Sequence, residues 1–285
     1  MAIRPGSSEQ RIIFWLGCHV LRHSDIIQSC VSLLRLMGAD VRTAAGGKYC
    51  CGTIKDMNLT AADALGKNVS SRFNATKRDE VVSYCPSCQT HMDNFVSEAN
   101  ETHFNASHFV SFLHRHRDKL TPLLRKPVNR RVALHLHTGF QSSAPINAMV
   151  KDLLDLVPGI EIAGHQQRLP GMHCTTAFVG VPGMARDIRH SLELIKQEAA
   201  VDQIVTIFHS CQRQLCVHEP AAQVSIVNFV NVLAEAAGLV IGEDIYKSWK
   251  TAGDARTARV RVGREVIDRA GDERFERFVL PELLK

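Results

Sequence analysis

The sequence predicts an α/β protein of two tandem domains, each a doubly wound, mainly parallel sheet flanked by helices. Short apolar runs alternate with longer segments of helical periodicity along most of the 285 residues. The same order of runs and cysteine-containing blocks recurs about 120 residues later. Because strands that alternate with helices are joined by crossover connections, this rhythm indicates a parallel sheet in each half.

Four short apolar runs are predicted as buried strands, since charged residues precede them and glycine, cysteine or histidine residues follow. They are residues 12–16, 81–84, 132–136 and 204–208. Four longer segments show helical periodicity and cover residues 24–37, 61–77, 144–157 and 184–199. Gly38 and Pro158-Gly159 lie where two of these helices are expected to end.

An internal duplication organises the chain. Residues 11–18 align with residues 131–138, and residues 79–89 align with residues 202–212. Between these blocks, the pair Cys50-Cys51 matches His173-Cys174, and the same 33-residue spacing leads to the final block in both halves. Three blocks in the same order and with the same spacing indicate two copies of one domain.

The expected division of the chain follows from this duplication. A first domain is expected at 1–122, a second at 130–250 and a charged C-terminal extension at 251–285, with a proline-containing linker at 120–130. The extension mixes Arg, Asp and Glu with apolar residues. It is either a peripheral helix, an arm that binds a partner, or a solvated and weakly ordered segment.

Composition and charge exclude several classes of protein. The net charge of +5 is mild and no Lys/Arg run forms a basic stripe, so nucleic-acid binding is not expected. The first residues lack the apolar stretch of a secretory signal, and no run of about 18 apolar residues predicts a membrane span. An odd number of cysteines, 9, argues against a disulfide framework. We therefore expect a cytoplasmic protein.

Five of the cysteines form a pattern that points to a metal centre. They are Cys18, Cys50, Cys51, Cys85 and Cys88. Convergent thiols without cationic partners ionise poorly, whereas a bound metal accepts thiolates as ligands and lowers their pKa. Cys18 follows the first predicted strand and Cys85 a later one, so both are expected at the carboxyl edge of the sheet, where ligands of such sheets bind. The pattern predicts a metalloprotein, and favours iron–sulfur.

This pattern, with Gly52 after the adjacent pair and Pro86 after Cys85, resembles the cysteine-rich "Cys-Cys-Gly" domain of the B subunit of heterodisulfide reductases and their relatives. The resemblance covers roughly residues 11–216. It implies two domains paired around a pseudo-twofold axis and a non-cubane [4Fe-4S] cluster on a complete motif. It also implies that the five cysteines are the cluster ligands, and that Gly52 lets the backbone approach the sulfide atoms.

Other interpretations of the first motif stay open. A structural zinc ion needs only four ligands, usually from two close pairs, and fits an adjacent pair plus a fifth thiol less well. Cys85 and Cys88 could form a redox-active dithiol, which leaves the other three cysteines without a role. The thiols could also be buried and inert. Cys30, on the apolar face of a predicted helix, is interpreted as a core residue.

The second half departs from the motif. Its equivalent positions are Thr138, His173, Cys174, Phe208 and Cys211. Two thiols of five cannot hold the same cluster. Cys174, Cys211 and His173, with one more group, could bind zinc or a second small centre. The alternatives are a degenerate site packed by histidines (His135, His137, His209 and His218 lie nearby in sequence), and a thiol that exchanges with a substrate disulfide.

The resemblance implies an oxidoreductase of sulfur metabolism that transfers electrons as part of a complex. Its partners would be a flavin-containing subunit and a ferredoxin-like iron–sulfur subunit. Its substrate would be a thiol or disulfide, or sulfur bound to a carrier as in bacterial sulfur oxidisers. Two alternatives remain: an iron–sulfur subunit for lactate or glycolate oxidation, and a non-catalytic scaffold stabilised by zinc.

Overall fold

A computed structural model describes residues 10–53, 58–137, 143–163, 183–201 and 203–284. Its eight strands form two sheets of four parallel strands, in the orders β2-β1-β3-β4 and β6-β5-β7-β8. The strands are β1 Arg11–Gly17, β2 Asp40–Ala45, β3 Glu80–Ser83, β4 Asn105–His108, β5 Arg130–His135, β6 Ile160–Ile162, β7 Gln203–Thr206 and β8 Ser225–Asn228. The predicted fold class, two doubly wound α/β units, is confirmed.

Helices connect the strands and cover the sheets. In the first half they are α1 Ser24–Leu36, α2 Leu59–Asn74, α3 Pro86–His91, α4 Ser97–Ala99, α5 Phe109–Arg115 and α6 Arg117–Leu120. In the second half they are α7 Ser143–Leu154, α8 Met184–Ala199, α9 His209–Leu215, α10 Glu219–Ala222 and α11 Phe229–Ala236. The C-terminal helices are α12 Ile245–Lys250, α13 Ala255–Val262, α14 Arg264–Ala270, α15 Asp272–Arg274 and α16 Leu280–Leu283. A π-helical segment, Met92–Val96, joins α3 to α4.

The duplication seen in the sequence is present in the topology. The two sheets have the same strand order, and equivalent residues pair in the same register: Ser83 lies opposite His108 in the first sheet, as Thr206 lies opposite Asn228 in the second. Helix α1 packs against α11, and α5 packs against α7. Since α7 is the counterpart of α1 and α11 that of α5, these two contacts are related by the pseudo-twofold axis.

The predicted elements differ from the observed ones mainly at their ends. The apolar runs were expected to stay extended to residues 84, 136 and 208, but the strands end one to two residues earlier. These last residues lead to the helices or loops beyond the sheet. The strands β2, β4, β6 and β8 had no predicted equivalent.

One apolar core runs through both halves and includes Trp15, Phe109 and Phe229. Cys30 is fully buried in it, as expected of a core residue. The expected linker at 120–130 is packed against this core rather than exposed, because Leu120, Leu124 and Val128 are buried. The core therefore holds the two sheets together as well as each sheet to its own helices.

The C-terminal helices form a smaller apolar cluster of their own. Its buried members are Tyr246, Ala258, Val262, Ile267, Phe275, Leu280 and Leu283. The alternative of a solvated, weakly ordered extension was wrong, because these apolar residues recur at helical spacing among the charges and pack on one another. Within the described part of the chain, every helix is too short or too polar to cross a bilayer.

Candidate metal centre

The three cysteine segments follow three neighbouring strands at the carboxyl edge of the first sheet. Cys18 comes directly after β1, Cys50-Cys51 follow the turn after β2, and Cys85 comes two residues after β3. Strand β1 lies between β2 and β3. The chain passes from β1 to β2 on one side, and then crosses back to β3 on the other side of β1. The thiols thus lie where the strand order reverses, the position at which doubly wound sheets bind their ligands.

Gly17 lies directly against the group of Cys18, Cys50, Cys51, Cys85 and Cys88, which we call the thiol centre. Its φ of 68° is one that residues with a side chain rarely adopt. A Cβ atom added there would lie 2.9 Å from Cys88 Sγ and 3.7 Å from Cys85 Cβ. The glycine therefore lets the end of β1 approach two of the thiols more closely than any other residue would.

The segment that carries the adjacent cysteines is fixed from both sides. The Trp15 indole on β1 donates a hydrogen bond to the Tyr49 carbonyl (2.9 Å), and the Asn68 amide on α2 donates one to the Lys48 carbonyl (3.0 Å). These bonds hold the residues directly before Cys50 between the sheet and α2.

Gly52 packs against the backbone of α2. Its φ is 83°, and an added Cβ would lie 2.7 Å from the Ala62 carbonyl oxygen. The turn and the neighbouring helix backbone therefore both favour glycine at position 52. Its expected role beside the sulfide atoms of a cluster stays a prediction.

Cys85 and Cys88 lie at the start of α3. Cys85 occupies the position before the helix, and Pro86 is its first residue. Proline is favoured there because its fixed φ suits a helix and its missing N–H would have no partner. The Gln89 backbone amide donates to the Cys85 carbonyl (3.0 Å), and the Ser83 hydroxyl donates to the Gln89 side chain (2.6 Å). The helix start is thereby tied to the end of β3.

Cys88 forms hydrogen bonds with Cys51 and Cys85, and these bonds shift the pKa values of all three thiols. The hydrogen bond with Cys88 lowers the pKa of Cys51 to about 7, and it also lowers the pKa of Cys85. The same two bonds, together with burial, raise the pKa of Cys88 well above its ordinary value. Burial and the neighbouring thiols raise the pKa of Cys18. A lowered pKa favours the thiolate, the form that binds metals, at Cys51 and Cys85 more than in an ordinary thiol.

The number and arrangement of the thiols differ from those of a structural zinc site. One tetrahedral zinc ion takes four ligands, whereas five thiols lie on three segments here. Among the described residues, the one group of three donors with all ligand atoms within 4.8 Å is His23, Asp25 and Asp244, not a set of cysteines. Five thiols on three segments suit a centre with several metal atoms. The donor set and the close approach at Gly17 fit an iron–sulfur cluster.

The second half replaces this centre with packed side chains. Phe208, the counterpart of Cys85, is buried, and its ring lies 4.7 Å from the His137 ring and 5.6 Å from the His108 ring, centroid to centroid. Cys211, the counterpart of Cys88, has its sulfur 3.5 Å from His137 Nδ1. His173, Cys174 and Thr138 lie outside the described residues, so the expected second metal site stays a prediction.

Cys216 directly follows α9 and is buried, and burial raises its pKa to about 12. Its thiol donates to the Arg213 carbonyl (3.5 Å). A thiol with so high a pKa is protonated at neutral pH, and therefore suits packing rather than metal binding or exchange.

His108 and Asn228 occupy equivalent positions in the two halves and form equivalent hydrogen bonds there. His108 Nδ1 accepts from the Val110 amide and its Nε2–H donates to the Tyr84 carbonyl (3.0 Å). Asn228 does the same in the second half, accepting from the Val230 amide and donating to the Ile207 carbonyl (3.2 Å). The Tyr84 hydroxyl then donates to Asn228 Oδ1 (2.9 Å), which joins the halves directly before Cys85.

Sequence reasoning identified the five cysteines but not the residues that position them. Gly17, Trp15, Tyr84 and His108 belong to this group. A glycine directly before a motif cysteine was an available signal for Gly17. Nothing in the sequence pattern marks Trp15, Tyr84 or His108, whose roles depend on contacts between distant segments.

A cavity of about 270 Å³ lies on the side of α3 that faces β4. Pro86, Ile146 and Phe208 supply its apolar wall, while Gln89, Asp93 and Ser107 are polar. It lies between the start of α3 in the first half and Phe208 in the second. A small group of mixed polarity could therefore approach α3 from this side.

Fold and site together define a two-domain α/β protein with a cysteine-rich site for a metal or an iron–sulfur cluster. Residues 12–93 match the family model described as "Cysteine-rich domain". The match supports a metal-binding or iron–sulfur redox subunit as the class of function. No curated protein matches the chain in sequence.

Several solved structures resemble the chain weakly. An aspartate racemase homologue from Pyrococcus horikoshii has 8% identity over 80% of this chain and 99% of its own, with a TM-score of 0.34. Allantoin racemase from Pseudomonas fluorescens has 11% identity over 81% and 93%, with a TM-score of 0.30. An arabinose binding protein from Geobacillus stearothermophilus has 8% identity over 78% and 74%, with a TM-score of 0.30. These scores are too low to indicate a shared function.

Proposed function

We propose that the chain is the iron–sulfur redox subunit of a heterodisulfide reductase-like complex, with one non-cubane [4Fe-4S] cluster on the five cysteines of its first half. The observation that carries this proposal is the convergence of the three cysteine segments at the strand-order reversal of the first sheet. The close approach at Gly17 and the presence of five thiols, one more than a tetrahedral zinc ion binds, support a multinuclear centre over a single zinc ion.

When bound, such a cluster supplies one-electron transfer and an iron position that accepts a substrate sulfur. This chain's residues would hold it and shape access. Cys51 and Cys85 are the thiols with a lowered pKa, while Cys18 is the exposed member at the rim. Phe208 and Ile146 form part of the apolar wall of the cavity beside α3.

The substrate class that suits this site is a disulfide or a carrier-bound sulfur. Reduction of a disulfide breaks the S–S bond, consumes two electrons and two protons, and releases two thiols. A flavin-containing subunit and a ferredoxin-like subunit would deliver the electrons singly. Since Phe208 occupies the place of Cys85 in the second half, we propose a single cluster per chain rather than one per domain.

The proposal is tested by iron, zinc and acid-labile sulfide analysis of anaerobically purified chain, with electron paramagnetic resonance after mild oxidation. We expect about four irons and four sulfides per chain, and a signal that changes when a thiol is added. About eight irons would contradict the single centre. Zinc bound by sulfur without sulfide would overturn the redox function and leave a zinc-stabilised scaffold.

Cys88→Ala separates a redox centre from a structural one. We expect the variant to lose its visible absorption and most of its iron while circular dichroism stays close to that of the parent. The matched control is Cys30→Ala, which removes a buried thiol from the same domain but away from the centre, and should keep its iron. If Cys88→Ala unfolds while Cys30→Ala does not, the metal has a structural role.

A further inference from the structure

A second cluster of potential metal ligands lies outside the thiol centre, at the junction of the two halves. His23 directly precedes α1, Asp25 lies in its first turn, and Asp244 directly precedes α12. One imidazole nitrogen and two carboxylate oxygens from these residues lie within 4.8 Å of one another. The three side chains therefore converge from segments more than 200 residues apart in the chain.

These side chains are buried and incompletely paired. His23 is 0% exposed and Asp25 is 2% exposed. Among the described protein atoms, neither His23 nitrogen has a hydrogen-bond partner, and neither has Asp25 Oδ1. Burying polar atoms without partners is costly, so each of these atoms indicates a ligand at this place.

The other oxygen atoms are already oriented by neutral amides. Asp25 Oδ2 accepts from Asn231 Nδ2 (2.6 Å) and from Gln212 Nε2 (3.2 Å). Gln212 Nε2 also donates to Asp244 Oδ2 (2.6 Å), while Asp244 Oδ1 accepts from the Lys247 amide (2.9 Å). Such bonds fix carboxylates in the way that outer partners orient metal ligands.

The charge of the cluster suits a divalent cation. Two carboxylates lie next to each other, since Asp25 Oδ2 and Asp244 Oδ2 both accept from Gln212 Nε2. His23 Nδ1 is 3.6 Å from Asp244 Oδ2, which is too long for a hydrogen bond. A cation between these atoms would neutralise both carboxylates and satisfy the imidazole.

We propose that His23, Asp25 and Asp244 bind a divalent transition-metal ion of the zinc type, separate from the thiol centre. Mixed imidazole and carboxylate donors are typical of this class, with bonds of about 2.0–2.2 Å. Gln212 Oε1 is also buried and has no hydrogen-bond partner among the described atoms. Because the ligands come from α1 and α12, the ion clamps the first half to the C-terminal part of the chain.

The test uses the full chain with its thiol centre loaded, supplied with Zn²⁺ and then freed of loosely bound metal. X-ray absorption at the zinc edge should show nitrogen and oxygen ligands at about 2.0–2.2 Å, without a sulfur shell at about 2.3 Å. His23→Ala and Asp25→Asn should each weaken zinc binding by more than about tenfold, with the iron content unchanged. Zn²⁺ should raise the melting temperature of the parent more than that of Asp25→Asn.

Glu243→Gln is the matched control, because it removes an exposed carboxylate directly beside Asp244 and should bind zinc as the parent does. Circular dichroism of each variant shows whether a loss of zinc follows from unfolding, and Asp25→Asn keeps the volume of the side chain. The proposal is overturned if the parent binds no zinc. An ordered water molecule would then be the partner of the buried polar atoms. The proposal is equally overturned if zinc shows only sulfur ligands or remains bound in both ligand variants.

Discussion

At Gly17, the end of β1 passes so close to the thiols that no side chain fits between them. The position combines two demands, a positive φ and contact with Cys88 Sγ, which a substitution would violate together. Gly38 meets the first demand alone, because its φ is 85° and nothing lies within 4 Å of an added Cβ. The two glycines therefore allow backbone strain to be separated from crowding of the metal centre.

We predict that Gly17→Ala and Gly38→Ala each cost about 1–2 kcal/mol of unfolding free energy, since both place alanine at a positive φ. Only Gly17→Ala should also reduce the iron content, because its methyl group forces the Cys88 sulfur to rotate away from Cys51 and Cys85. Urea unfolding and iron analysis of both variants check this. Equal iron content in the two proteins would show that the Gly17 contact has no part in holding the centre.

At the scale of the element, His108 and Asn228 perform the same task with different chemistry. Each begins a helix and ties it to the loop that follows the neighbouring strand. Burial lowers the pKa of His108 to about 4, although its bond to the Tyr84 carbonyl acts in the opposite direction. The unfolded chain, in which histidine titrates near pH 6.5, therefore binds more protons than the folded chain between pH 6.5 and 4.

It follows that the free energy of unfolding falls as the pH drops through this window, with up to about 3 kcal/mol from His108. We predict that His108→Asn, which copies Asn228, keeps both hydrogen bonds and loses this share of the acid sensitivity. Urea unfolding at pH 7 and pH 4.5 measures the difference. The control is His103→Asn, which replaces a histidine at an exposed position. Its free energy of unfolding should change between pH 7 and pH 4.5 by as much as that of the parent. An unchanged pH dependence in His108→Asn would contradict the assignment.

Several elements could be predicted from sequence and others could not, for physical reasons. β1, β3, β5 and β7 are central strands and read as continuous apolar runs. β2 and β4 are edge strands: β2 exposes Arg42 and Thr43, and β4 buries Ser107 and His108 through hydrogen bonds rather than apolar side chains. Hydrophobic patterns therefore found the strands that carry Cys18 and Cys85, and missed their edge partners.

The C-terminal helices supply a second prediction at this scale. Phe275 is 1% exposed in their small core, whereas Phe278 is 63% exposed. We expect Phe275→Ala to cost about 3–5 kcal/mol locally, and Phe278→Ala to be nearly neutral. Hydrogen exchange should show loss of protection in α13 and α16 with β1 unchanged. Equal protection in the two variants would mean that this cluster does not stabilise the extension.

At the scale of the whole molecule, one core and a reciprocal pair of helix contacts make the two halves a single unit. The duplication and the five-cysteine motif could be recognised from the sequence, because both depend on spacing along the chain. The cluster of His23, Asp25 and Asp244 could not be recognised in this way, since their proximity depends on how the C-terminal part folds back on α1. Contacts of this kind leave no local pattern.

The Tyr84 hydroxyl tests the coupling of the halves, because its bond to Asn228 Oδ1 crosses the pseudo-twofold axis in a fully buried place. We predict that Tyr84→Phe lowers the free energy of unfolding by about 0.5–1.5 kcal/mol, the net value of one hydrogen bond, because Asn228 Oδ1 keeps its bond from the Val230 amide. Tyr246→Phe is the control, because that hydroxyl donates to Glu282 in the C-terminal part and its loss leaves the contact between Tyr84 and Asn228 intact. Urea unfolding of the metal-free, reduced chain, followed by circular dichroism and by Trp15 fluorescence in a Trp249→Phe background, should give coincident transitions in both cases. Separate transitions for the two signals in the parent would show that the halves unfold independently.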